Sequence, residues 1–121
     1  MIKLRTRLNI LLKTIHPRVH FNVAPDTTAF PYIVYDLPNS LTNEEQEVFV
    51  LDVDIWDNTT DTTAIETLAE QVWSTLHKYR YLDSDIQFSI YRMNRLTLTD
   101  DDTRIRRRKL MFEVRYFDRN L

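Results

Sequence analysis

Gln46-Glu47-Val48-Phe49-Val50-Leu51-Asp52-Val53-Asp54-Ile55-Trp56 is the stretch from which the rest of the chain can be placed. Side chains of an extended strand alternate between two sides. Phe49, Leu51, Val53 and Ile55 therefore share one face, and Val48, Val50, Asp52, Asp54 and Trp56 share the other. One face is wholly apolar and the other carries two carboxylates, the pattern of a central strand covered on one side only.

After this strand, Asp57 to Asp61 reads as a turn into a helix. Ile65, Leu68, Ala69, Val72, Trp73 and Leu76 make the helix's apolar stripe, and Thr63 and Glu66 have capping-box spacing. Further on, Ile86, Phe88 and Ile90 alternate with polar residues, as do Leu110, Phe112, Val114 and Tyr116. Folding at Asp101 pairs 86 with 116, 88 with 114 and 90 with 112. In that register residues 93 to 108 carry few apolar side chains, so the hairpin is expected to project about 25 Å beyond the core. Before the strand, Val19 to Val23 and Pro31 to Leu37 read as extended. Leu4, Leu8, Leu11, Leu12 and Ile15 recur at helical spacing, which predicts an amphipathic helix over 2–15 that Pro17 ends. The expected architecture is α+β: a mainly antiparallel sheet of about five strands, two helices packed on its apolar face, and a long projecting C-terminal hairpin. All of it forms one domain over residues 1–121.

Charge is segregated along the chain. Residues 19 to 77 hold eleven Asp and Glu and no Lys or Arg, while all sixteen basic residues sit in the flanks with seven acids. A net charge of −2 is thus the sum of a −11 centre and +9 ends. Such a chain is expected to carry separate acidic and basic faces, complementary to copies of itself. If the two faces are not opposite one another, head-to-tail contacts between them generate a ring, provided the rotation closes. The basic, projecting hairpin would lean on a neighbour's acidic segment.

Composition excludes several chemistries. The sequence has no cysteine, hence no disulfide, thiolate nucleophile or Cys-based zinc site. It has no glycine either, which excludes a P-loop, a dinucleotide fingerprint and a Gly-x-Ser-x-Gly elbow. Positive-φ turns are then expected at Asn39, Asn43, Asn58 or Asp100-Asp101-Asp102. The basic start is broken by Asn9 and Lys13 and reads as helix rather than signal peptide. No segment approaches the roughly 20 apolar residues of a membrane span.

Asp52 and Asp54, with Asp57 nearby, have oxygen ligands for a divalent cation. They lack the tight turn and terminal Glu of a calcium loop, so no metal is expected and they read as a solvated or interface-facing strand side. Arg104 to Lys109 has five basic residues in six, which invites phosphate. The neighbouring aspartates and the absence of aromatics among these arginines argue for protein contact instead. His16 and His20 are separated by Pro17, and no serine has a histidine in a recognisable motif. Neither a catalytic residue nor a cofactor is therefore expected. Trp56 and Trp73 read as core or interface anchors.

The succession Phe30-Pro31-Tyr32-Ile33-Val34-Tyr35, then Glu47 to Trp56, then Ala64 to Leu76 as helix, then Arg108-Lys109-Leu110-Met111-Phe112-Glu113-Val114-Arg115-Tyr116-Phe117 resembles the tail-completion or tail-terminator proteins of long-tailed bacteriophages. The resemblance covers nearly the whole chain. It implies a non-enzymatic virion subunit, without cofactor, assembled in the host cytoplasm and located at the tail–neck junction. A hexameric ring of such subunits ends tube polymerisation and joins the tail to the head connector. Its partners would be other copies, the major tail tube protein and the connector or head-closure protein, with DNA passing unbound through the lumen. Within that frame Arg95, Asp100, Asp101, Asp102, Arg104, Arg106, Arg107, Arg108 and Lys109 are the expected subunit or tube contacts. Glu44, Glu45, Glu47, Asp52 and Asp54 are the expected acidic lumen or interface. Charge reversal at Arg106, Arg107 and Arg108 is expected to abolish assembly while leaving the monomer folded. The alternatives are another neck component such as a head-closure protein, a nucleic-acid-binding module using the basic hairpin 104–109, and a carboxylate-dependent hydrolase using Asp52 and Asp54.

Overall fold

The computed structural model describes residues 1–43 and 46–119. Along them run α1 (Ile2–Lys13), β1 (Val19–Phe21), β2 (Tyr32–Asn43), β3 (Gln46–Asp57), α2 (Thr63–Leu76), β4 (Arg80–Leu82), β5 (Ile86–Thr99) and β6 (Arg106–Asp118). The strands form one mixed sheet in the order β1-β2-β3-β6-β5-β4, parallel only between β1 and β2. The sixth strand, β4, leaves no pattern in the sequence because three residues are too few to display a period of two.

β3 lies in the interior of the sheet, between β2 and β6. Its apolar face is fully buried, with Phe49 opposite Val114, Leu51 opposite Phe112 and Val53 opposite Leu110. Leu4, Leu8, Leu11 and Leu12 of α1 join the same core as Ile65, Leu68, Ala69, Val72 and Leu76 of α2. Both helices therefore cover one face and leave the other open. The sheet also curls about α1: Arg5 stacks on Phe21 of β1 at 4.9 Å, and Arg7 on Tyr81 of β4 at 4.9 Å. One helix, about 10–12 Å across, reaches both outermost strands only if the sheet bends round it.

Three expectations need correction. First, the hairpin register is displaced by two residues: Ile86 pairs with Asp118, Phe88 with Tyr116 and Ile90 with Val114. A shift of two preserves which face each side chain occupies, so the expected buried set is correct and the expected partners are not. On its other side β6 pairs with β3 as far as Asp57 opposite Arg106. Arg106 to Lys109 are thus half-buried within the sheet and do not form part of a free arm. Second, no capping box forms at α2. The carboxylate of Asp61 accepts from the Thr63 amide at 2.9 Å and the Thr63 hydroxyl at 2.7 Å, while Glu66 turns to Arg108. Third, among the described residues positive φ falls at Asn22 (70°) and Lys78 (64°), not at the expected positions. Lys78 follows α2 directly, and its amide must turn to donate to the Ile90 carbonyl at 2.7 Å. With no glycine in the chain, a lysine takes the left-handed conformation there.

The β4–β5 turn is organised by Asp83. Its carboxylate accepts from the Tyr81 hydroxyl at 2.6 Å and from the amides of Asp85 and Ile86 at 2.7 and 2.8 Å. The Tyr81 hydroxyl and those amides hold its pKa down at about 2.

Two outcomes are expected. Phe112→Ala removes a fully buried ring packed on Trp73 at a centroid distance of 5.4 Å. It should cost about 3–5 kcal/mol, read as a lower urea midpoint. Asp83→Asn should lower the Tm at pH 7, with the difference closing as pH falls from about 4 to about 2. A carboxylate with a depressed folded-state pKa contributes stability above its unfolded pKa and loses it on passing through the folded one.

Candidate assembly interface

The sequence separates acids from bases, and the fold reunites them. Because β3 runs antiparallel to β6, Asp54 lies opposite Lys109 and Trp56 opposite Arg107 on the open face of the sheet. Lys109 Nζ stands 3.3 Å from Asp52 Oδ2 and 3.6 Å from Asp54 Oδ2, and Arg107 Nε donates to Asp54 Oδ1 at 3.2 Å. Arg107 also covers the Trp56 ring at 4.6 Å, and Trp56 stacks in turn on Tyr32 at 6.3 Å. The ladder is largely desolvated, with Asp54 at 9% exposure. Among the described residues Asp52 Oδ1 is buried without a hydrogen-bond partner.

On the helix-covered face the same reunion occurs with α2. Arg108 Nε donates to Glu66, and Arg95 Nη1 to Glu70 Oε1 at 2.7 Å. Arg95 reaches that face because a bulge between Arg92 and Asn94 shifts β5 by one residue. Before the bulge, Arg92 lies over Trp73 at 5.0 Å, and Arg95 approaches the same ring at 5.1 Å. No sequence pattern points to this clamp on Trp73; it depends on a bulge that leaves no mark on residue spacing.

At the hairpin tip Arg104 forks onto its near neighbour Asp102, with Nε and Nη2 donating at 3.0 and 2.8 Å. That fork, with the Arg104 amide, holds the Asp102 pKa down at about 2. Asp100 accepts from the Asp102 amide at 3.0 Å, and Asp101 is exposed. Arg106 donates only to the Thr103 carbonyl, at 2.6 Å. Glu47 accepts from Ser40 at 2.6 Å. Glu44 and Glu45 lie outside the described residues.

The structure thus brings Asp52 and Asp54 together with Arg107 and Lys109, ties Arg95 and Arg108 to α2, and leaves Asp100, Asp101, Asp102, Arg104 and Arg106 as a local cluster at the tip. Four of the five basic residues between 104 and 109 have a carboxylate partner in their own chain, at Asp102, Asp54, Glu66 and Asp52 with Asp54. No group of three or more metal-ligating side chains gathers among the described residues. None of the described helices is long and apolar enough to cross a membrane. The outward-facing residues include apolar ones on the outer strands: Leu41 is 72% exposed, Met93 49% and Leu96 41%.

Residues 4–116 match the family model described as "Tail completion protein gp17". No curated protein matches the sequence. Among solved structures, a chain of "Virion of native gene transfer agent (GTA) particle" superposes with a TM-score of 0.70 at 15% identity, over 92% of this chain and 87% of that one. At that identity the likeness is one of fold.

The internal pairing changes what charge reversal should do. Arg107→Glu would set a third carboxylate beside Asp52 and Asp54 and lower the monomer's Tm, whereas Arg106→Gln, which breaks no ion pair and adds no charge opposite the buried Asp57, should leave it nearly unchanged. Lys109→Met should cost about 1–3 kcal/mol in a urea titration, because both aspartates lose a buried partner. The double variant Lys109→Met with Asp52→Leu should lose less than the two single losses combined.

Proposed function

This chain belongs to the tail completion protein gp17 family, structural tail components of bacteriophage virions, and from that premise we propose that it caps the tail tube. In this reading copies of the chain, six in number, close into a ring at the neck. The ring ends tube polymerisation and offers its other side to the head connector or head-closure protein. The family match over residues 4–116 is the observation that carries this role. The likeness of fold to a chain of a virion particle fits it. The role is one of contact, and no step in it requires a catalytic group, a metal or a cofactor.

The internal ion pairs modify the ring's expected chemistry. Asp52, Asp54, Glu66 and Glu70 of the acidic segment already pair with flank bases inside the monomer, which leaves less segregated charge to act between copies. Exposed apolar side chains on the outer strands are better suited to hold the ring. The same pairing counts against a nucleic-acid-binding module, since Arg104, Arg107, Arg108 and Lys109 already have carboxylate partners. DNA would pass the ring without being held.

Native mass spectrometry across ionic strengths tests this reading. A six-subunit species that persists as salt rises is expected, because apolar contacts are not screened. A chain that stays monomeric at every concentration and leaves tubes growing to unlimited length would overturn it. Tight, salt-sensitive retention of DNA lost on Arg106→Gln would favour the nucleic-acid role instead.

A further inference from the structure

Resting on the ring reading, we infer that neighbouring copies join by continuing one β-sheet, with residues 94–99 of β5 in one copy adding antiparallel to residues 39–42 of β2 in the next. Both stretches are sheet edges that the monomer leaves bare. β1 covers β2 only at Ile33–Tyr35, and its flanks add no more than the bonds Ile33 N to Arg18 O and Asn22 N to Tyr35 O. β4 covers β5 only at Gln87–Ser89, and residues 77–79 extend that cover to Ile90 and Arg92. Past Asp36 on β2 and past Arg92 on β5, no described strand lies alongside.

These bare edges lack the usual protection. Natural sheets guard exposed edges with lysine, proline, inward charges or very short strands. Here Pro38 and the two bulges stand at the start of each bare stretch and leave the rest untouched. Asn39-Ser40-Leu41-Thr42 carries no charge, and Asn94-Arg95-Leu96-Thr97-Leu98-Thr99 carries one, already engaged by Glu70. Each edge also displays an exposed leucine, Leu41 at 72% and Leu96 at 41%.

The two edges match in direction and in face. β2 runs opposite to β3, β3 to β6 and β6 to β5, so β2 and β5 run opposite to each other within one copy. Copies related by a rotation that keeps the sheet direction therefore present them for antiparallel pairing. Leu41 lies opposite Val48, and Leu96 opposite Lys109, both on the open face. Ser40 with Thr42 and Arg95 with Thr97 lie on the helix-covered face. A continued sheet thus sets leucine beside leucine and polar beside polar, as cross-strand pairing favours. Leu41 is level with Val48 of β3 and Leu96, through Lys109, with Asp54, an offset of about 20 Å along the strands per copy. Stagger of that kind is what tilts strands when a sheet closes on itself. The contact is heterologous, joining two different edges, so it cannot make a symmetric pair and makes a ring where its rotation closes.

The chain has no cysteine, which makes the test direct. The double variant Leu41→Cys with Leu96→Cys, treated with a bis-maleimide spanning about 8 Å, the reach of diagonal cross-strand neighbours, should give a denaturing-gel ladder ending at six copies. Each single variant should give no ladder beyond two. Leu41→Lys and Leu96→Lys should each reduce the wild-type ring to monomer in native mass spectrometry without lowering the Tm, while Leu82→Lys, exposed elsewhere on the sheet, leaves it intact. A wild-type ring that survives both lysine variants and yields no ladder would overturn the edge pairing and leave the ring reading standing. Absence of any wild-type oligomer, together with no ladder, would remove the ring reading and the edge pairing with it.

Discussion

Twelve residues of β3 face twelve of β6 without interruption, and the rest of the molecule is arranged about that ladder. On one side it supplies the apolar floor on which both helices sit. On the other it presses Asp52 and Asp54 against Arg107 and Lys109. The register cannot slip by one residue without burying the charges and exposing Leu51, Val53, Leu110 and Phe112. Hydrophobic and electrostatic demands therefore select the same alignment, and each restrains the other's errors. Such agreement between levels distinguishes a sequence with one low-energy arrangement from one with several.

The face each strand residue occupies is legible in the amino-acid sequence, because period-two alternation in 46–56, 86–90 and 110–116 determines it directly. The helices are legible for a similar reason, α1 ending two residues earlier than expected at Lys13 and α2 covering the expected span. Alternation does not record everything. A register displaced by two keeps every side chain on its expected face, so pattern alone cannot detect it. β4 is too short to show a period. β2 continues through Pro38 to Asn43 past a bulge, where proline ordinarily signals an end. The bulge in β5 sends Arg95 to the helix side and creates the clamp on Trp73.

Charge is the feature most visible in the sequence and the one whose meaning changes most in the fold. A −11 centre between +9 ends suggests attraction between molecules; in the fold it is attraction between segments of one molecule. A strand rich in arginine next to one rich in aspartate is a local solution when the two are neighbours in a sheet, and topology decides that rather than composition. The candidate contact residues of the tip and of β6 thereby divide. Asp100, Asp101, Asp102 and Arg104 remain at the hairpin turn, while Arg106 begins β6, and Arg107, Arg108 and Lys109 belong to the monomer's own architecture. The outer strands are quiet in charge and modest in hydrophobicity, and an unpaired backbone edge has no residue signature by which a sequence could announce it.

β6 also comes at the end of the order in which a ribosome makes these elements, yet it occupies the inside of the sheet, between β3 and β5. Until residues 106–118 have left the exit tunnel, both inner neighbours lack their hydrogen-bonding partner, and Asp52 and Asp54 have no counter-charge. A nascent chain without this strand lacks Leu110, Phe112, Val114 and Tyr116, which line the centre of the core floor. The sheet must then wait for β6 before it can close, whatever the order in which the other elements form. The bare edges of β2 and β5 therefore become ordered strand edges only once β6 has joined the sheet, so the surface that could adhere to another copy and the finished core arise together.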